Sequence, residues 1–304
     1  MAIHEDMTII TPDGEKTLKG LKKIPSMLDG IGVFRDVLAT NIDDYHGYFY
    51  EFTFKAIPFS IKCTADHLIY TIKNIDDLQN KSENAPKPSF VRASSINIYE
   101  YMAMPFLKEI QEFLPANLPI EQKNFWFLTG VVLNRIAIGK MPKFEVNRMI
   151  INLFNEELKY VRFPDGINKI PTINGMVFLN SHYVDYINSI VRNPIQIMFL
   201  PLDFQKEIYD GFFFDIERPP TALNSQIIFV MWYIYCRMNK NLANIQATKN
   251  REYKLNVQAN PIPCSDTHIW FRVSDVRLTV EKARVFQFKT ESQVVVIKNF
   301  LVHA

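Results

Sequence analysis

Phe300-Leu301-Val302-His303-Ala304 closes the chain. Three apolar residues in a row read as the end of a strand. They run straight into a histidine, a side chain that titrates near neutrality, and then into an alanine with no functional group at all. The opening stretch, Met1-Ala2-Ile3-His4-Glu5-Asp6-Met7-Thr8-Ile9-Ile10, also begins with an alanine, followed by an Asp-x-x-Ile spacing from Asp6 to Ile9. The two ends, taken together, govern how everything between them is read.

At 304 residues, with 48% apolar and 13% aromatic residues, the chain can bury one large core or two ordinary ones. A net charge of +2 argues against bulk attraction to nucleic acid or to a membrane surface, so any DNA contact would be a local patch. Cys63, Cys236 and Cys264 are odd in number and lack CxxC spacing. This predicts a reducing, intracellular setting without a disulfide framework. No apolar run has membrane-spanning length, and the first thirty residues lack a signal-peptide pattern.

Along the first hundred residues the texture is β. Thr8–Thr11 leads into a Pro12-Asp13-Gly14 turn. Strands are predicted over Gly47–Phe54, Phe59–Thr64, His67–Ile72, Phe90–Ala93 and Tyr101–Pro105. Helical spacing takes over in Phe106–Leu114, Phe125–Ile138, Val146–Tyr160 and Ser225–Met238. Beyond Pro261 the β texture returns in His268–Val273, Val276–Val280, Arg284–Phe288 and Val294–Val302. Two β segments, each too short for a core of its own, point to one β domain interrupted by another domain. The expected boundaries are 1–105, 106–260 and 261–304.

The stretch Cys63-Thr64-Ala65-Asp66-His67-Leu68-Ile69-Tyr70-Thr71 resembles the Thr-x-x-His block of inteins. Phe90-Val91-Arg92-Ala93 with Tyr101-Met102-Ala103-Met104-Pro105 resembles the segments preceding the insertion point of that family. Arg284-Val285-Phe286-Gln287-Phe288 resembles its V-Y-D block, and the closing strand with His303 resembles its C-terminus. The resemblance implies an all-β Hint horseshoe, built from the N- and C-terminal segments together, that carries out autocatalytic protein splicing on flanking host-protein segments. It implies no cofactor for splicing.

By the same resemblance, Ala2 replaces the first nucleophile and Ala304 the terminal Asn. Thr64 bonds the scissile peptide, His67 protonates its leaving nitrogen, and His303 polarises the last carbonyl. These groups suit the task because an amide is a poor electrophile whose nitrogen must be protonated as it leaves. With Ala2 and Ala304 in place both cleavages are expected to fail, as in an element disarmed at both junctions. For Ala2 alone a natural reading also exists, because some inteins begin with Ala. Gln287 stands where an Asp is expected and cannot act as a base. An alternative alignment places Val276–Glu281 on that block, with worse spacing to the end.

Within the insert, Phe125–Arg135 and Ile208–Glu217 resemble the paired helices of LAGLIDADG homing endonucleases, implying an inserted α+β domain. In that family each helix ends in a carboxylate that holds divalent metal. Here Arg135 and Ile216 stand at those positions, while Asp215 and Glu217 are each about a hundred degrees around a helix from the expected place. A nuclease lacking these acids is expected to be inactive, with Gly130 and Gly211 kept for helix packing. An active one would need Mg²⁺, Asp215 or Glu217 as ligand, and double-stranded DNA. Further rivals are a hedgehog-like domain that cleaves without ligating and a folded remnant with no activity.

Among the other residues, His4, His46, His182 and His268 match no metal spacing and are expected at the surface or satisfied in the core. Cys63 and Cys236 are expected to pack in cores. Lys249, Arg251 and Lys254 are expected to be a solvated loop.

Overall fold

The computed structural model describes residues 2–78, 86–109, 114, 123–137, 172–173, 176–177, 186, 189–214, 221–222, 225–239, 244–247, 253–256 and 264–303. The chain divides into two compact units. The first comprises Met1–Lys108, Asn239–Asn244 and Val257–Ala304; the second comprises Glu109–Met238 and Ile245–Asn256.

Nine strands of the first unit precede the second. They are β1 (Ile3–His4), β2 (Thr8–Thr11), β3 (Gly14–Thr17), β4 (Ser26–Leu28), β5 (Phe34–Phe54), β6 (Ser60–Thr64), β7 (Leu68–Ile72), β8 (Ser89–Arg92) and β9 (Tyr101–Pro105). In the second unit lie helices α1 (Lys123–Ala137), α2 (Leu202–Phe212) and α3 (Ser225–Asn239). A β10 (Thr172–Ile173) and β11 (Met176–Val177) hairpin accompanies them, with a small sheet of β12 (Thr221–Ala222), β13 (Asn244–Ala247) and β14 (Tyr253–Asn256). The first unit is then completed by β15 (His268–Thr290), β16 (Val294–Ile297) and β17 (Phe300–His303).

The strands on either side of the second unit build one antiparallel sheet in the order β3-β2-β16-β17-β7-β9-β15-β1-β6-β5-β4, with β8 on β7. An extra pairing of β15 with β5 makes β1, β6, β5 and β15 a closed ring. The β5–β15 pairing runs from Phe54↔Val273 to Val37↔Thr290. At its base the aromatic positions of β5 go inward: Phe49 and Phe52 are fully buried. Phe54 stacks on Phe300 at 4.5 Å, and both meet Phe271. The last strand therefore shares a core with the first fifty residues. Farther out, Phe34–Tyr48 has no buried residue; here β15 carries β1 on its other edge at Val285 and Phe286, and residues 34–36 pair with β4.

Several expectations need correction. His268–Val273, Val276–Val280 and Arg284–Phe288 are one continuous 23-residue strand; its polar breaks at Ser274-Asp275 and Glu281-Lys282 are tolerated because residues 274–282 include no buried position and need no alternating apolar face. Val294–Val302 is a hairpin instead of a strand. Lys298 and Asn299 both have positive φ (45° and 72°), which reverses the chain between Ile297 and Phe300. β5 begins at Phe34, thirteen residues before the predicted start. The expected helix over Val146–Tyr160 lies outside the described residues, as do 110–113, Lys249 and Arg251; residues 106–109, expected to be helical, are not, and Lys254, expected in a loop, lies in β14.

Among the described residues no helix is long and apolar enough to cross a membrane.

Candidate active site

Thr64 ends β6 and His67 precedes β7, so the two face each other across a tight turn in which the His67 N–H donates to the Thr64 carbonyl at 3.1 Å. The turn leaves two carbonyls pointing out of the sheet, and buried carbonyls need donors. The segment after β8 supplies them. The Ala93 N–H donates to the His67 carbonyl at 2.7 Å and the Ser94 N–H to the Ala65 carbonyl at 3.0 Å. The Phe90–Ala93 stretch singled out in the sequence, with Ser94 after it, is thus the clamp on this turn.

Ala2 is buried against Phe49, Ala283 and Val285, with Tyr45 packed beside them. Its backbone is held at both polar groups by one residue: the Ala2 N–H donates to Thr64 Oγ1 at 3.0 Å, and the Thr64 N–H donates to the Ala2 carbonyl at 3.0 Å. Thr64 Oγ1 also lies 3.2 Å from the Ala2 carbonyl and 2.7 Å from Asp66 Oδ1. β1 pairs with β6 through Ile3↔Cys63 and with β15 through Ile3↔Phe286. One residue back along both registers, Thr64 and Gln287 flank Ala2 on either side. Alternation puts Gln287 on the same sheet face as Val285, and it is exposed. No alternative alignment brings Val276–Glu281 there; that stretch pairs with Phe52–Gly47.

His67 is 3% exposed, and neither ring nitrogen has a hydrogen-bond partner among the described residues. Burial pushes its imidazole down to about 3 from 6.5, with the charge of the chain's amino terminus acting in the same direction and Asp66 opposing. His67 is therefore neutral at pH 7, carrying one N–H and one lone pair. His303 reaches the same turn from the other side. β17 pairs with β7 at Val302↔Ile69, two residues beyond His67. The His303 ring sits edge-on to Phe90 at 6.0 Å. Ala304 lies outside the described residues.

β1 is fixed by charges on both flanks. Glu5 takes two hydrogen bonds from the Arg284 guanidinium at 3.2 and 3.1 Å. Glu281 pairs with Lys62 and lies 3.7 Å from His4 Nε2. His4 is buried rather than at the surface: its Nδ1 accepts the Asp6 N–H at 3.1 Å, and its ring stands edge-on to Phe49. Burial, reinforced by Lys62, lowers its pKa. Cys63 is fully buried and its thiol is pushed up by burial, as befits a packing residue.

In the second unit Gly130 on α1 and Gly211 on α2 let the two helix backbones come close. A Cβ on Gly130 would run into the Ile208 carbonyl, and one on Gly211 into the Phe127 carbonyl. Arg135 lies in α1; Asp215 and Glu217 lie outside the described residues. Among the described residues no group of three His, Cys, Asp or Glu side chains is disposed to hold a metal ion.

Thr64, His67, Gln287 and His303, singled out from the sequence, lie beside Ala2 or the turn that follows β6; Asp66 and the His4–Glu281–Lys62 group were not singled out. Asp66 lay inside the quoted Thr-x-x-His stretch, and an acid two residues from a hydroxyl across a turn was its only signal. The charge group joins three separate strands and left none. No protein-family model matches this chain, and no curated protein matches it significantly.

Proposed function

We propose that this chain is an autocatalytic protein-splicing element of the Hint type, with its two junction residues replaced by Ala2 and Ala304. The observation that carries the reading is the double hydrogen bond of Thr64 to Ala2, beside a buried, unpartnered His67. The nitrogen of Ala2 is the leaving group of the first step, and Thr64 holds it still.

With Cys at position 2, the thiol sulfur attacks the carbonyl carbon preceding residue 2. The S–C bond forms and the C–N bond breaks. A neutral imidazole takes the thiol proton at one nitrogen while giving the N–H of the other to the departing amine, so no net charge develops on His67. Immobilising the scissile peptide on a rigid strand supplies the proximity that such a rearrangement needs. The acyl group then passes to a downstream nucleophile. With Asn at position 304 the side-chain amide nitrogen attacks its own backbone carbonyl carbon, which His303 polarises; a succinimide forms, the C–N bond to the downstream residue breaks, and that residue's amine leaves with the proton. The flanking host segments are the only partners this chemistry needs, and it needs no cofactor.

The packed Gly130 and Gly211 pair favours a second reading for the inserted unit, a LAGLIDADG-type fold. Arg135 gives α1 a cation where Mg²⁺ would require a carboxylate, so that position does not fit the metal, and we propose no DNA cleavage.

The decisive experiment expresses Ala2→Cys with Ala304→Asn between two host-like flanks, the downstream one beginning with Cys. Ligated flanks are the expected product. Flanks cleaved but not joined would favour a hedgehog-like autoprocessing domain, and an inert precursor would sink the proposal. Incubation with supercoiled plasmid and Mg²⁺ should leave the DNA uncut.

A further inference from the structure

The hydroxyl of Thr64 has one proton and three neighbours: Asp66 Oδ1 at 2.7 Å, the Ala2 N–H at 3.0 Å and the Ala2 carbonyl at 3.2 Å. Two of these accept and one donates, so the two acceptors compete for a single proton. The carboxylate is both nearer and charged, and a hydrogen bond to an ionised acceptor is about twice as strong as a neutral one. The proton therefore goes to Asp66. A lone pair of Thr64 Oγ1 is left facing the Ala2 N–H, and hydrogen bonds in a chain polarise one another. The Ala2 carbonyl loses nothing, because the Thr64 N–H already serves it.

We infer that Asp66 is a positioning residue for the first junction: acting through the Thr64 hydroxyl, it polarises the Ala2 N–H and enriches the nitrogen that must gain a proton. The inference rests on the splicing reading for its consequence, though not for its geometry. When the C–N bond breaks, electron density gathers on that nitrogen until His67 protonates it. The row carboxylate, hydroxyl, N–H is a preorganised dipole chain aimed at this step. Asp66 is exposed and its turn is held by the backbone bonds of His67, Ala93 and Ser94. Its replacement leaves those backbone bonds in place.

Two measurements test this. In the restored Ala2→Cys, Ala304→Asn precursor, Asp66→Ala should slow thiol-induced cleavage at the first junction about fivefold, a modest figure because an exposed carboxylate is screened. Asp66→Asn, which keeps an acceptor oxygen without the charge, should fall between Ala and Asp. Cleavage at the second junction, after the asparagine restored at position 304, should be unchanged. No slowing, or equal slowing at both junctions, overturns the inference. The second measurement uses the chain with Ala2 intact and a flank ahead of Met1. The Ala2 amide proton should resonate farther upfield in Asp66→Ala than in the parent, with Asp66→Asn intermediate; an unmoved resonance overturns the inference. A restored precursor that cleaves at neither junction sinks the splicing reading, and the amide resonance then decides the hydrogen-bond assignment by itself.

Discussion

Gly130 and Gly211 face each other's helices at backbone contact: a Cβ on Gly130 would come to 2.7 Å from the Phe212 nitrogen, and one on Gly211 to 2.8 Å from the Phe127 carbonyl carbon. Alanine normally stabilises a helix interior by about 0.5–1 kcal/mol over glycine. Here the sign should reverse. Gly130→Ala or Gly211→Ala is expected to cost about 3 kcal/mol, since the obstacle is backbone and cannot swing aside. Helix melting followed by circular dichroism reads this directly, and a stabilised variant would show that α1 and α2 do not touch at these residues.

Thr64→Val keeps the side-chain volume and removes the oxygen that accepts the Ala2 N–H. A buried donor left without a partner costs about 1–3 kcal/mol, so the urea midpoint should fall accordingly. Thr64→Ser restores the acceptor and should recover most of the loss. In the restored precursor, Thr64→Val should also slow the first junction more than the second.

Burial holds His67 neutral, with its pKa pushed down to about 3 from 6.5. The unfolded chain therefore takes up the proton first as pH falls. The stability of the neutral, buried form is fully present above about pH 6.5 and is lost progressively toward pH 3, at up to about 1.4 kcal/mol per pH unit. His67→Leu should flatten the dependence of the urea midpoint between pH 6.5 and 4.5, where the remaining slope comes from other groups such as His4 and His268, also lowered by burial. An unchanged slope in the variant would mean that His67 is solvated.

Asn299 turns the last hairpin with φ 72°. Asparagine tolerates the left-handed region better than other residues with a Cβ. Asn299→Ala should therefore cost about 1–2 kcal/mol. Asn299→Gly should be nearly neutral. Chemical denaturation of both variants checks the pair; a harmless alanine would mean that the hairpin reverses at another residue.

Much of the site was legible in the sequence because it is local. Thr64 and His67 share one turn, and a spacing of three is readable without knowing the fold. The strands around Thr8–Thr11, Phe59–Thr64 and Tyr101–Pro105 were legible for the same reason, since each carries its own apolar pattern. The outer half of β5 was not. Phe34–Tyr48 mixes apolar and charged residues with no buried face, and from Val37 on it is paired with β15; a pattern that depends on a strand more than two hundred residues away cannot show itself in a short window.

The sequence by itself determined that strands flank a helical segment, that alanines occupy positions 2 and 304, and where the hydroxyl and imidazole of the turn must lie. Only the tertiary structure decided that Ala2 is wedged between β6 and β15 and that His303 arrives at the same turn along β7. It also decided that the Thr64 hydroxyl lies within reach of both Asp66 and the Ala2 carbonyl. The physical reason is that strand register and hydrogen-bond direction are set between segments distant in sequence, by pairing and burial that no residue specifies alone.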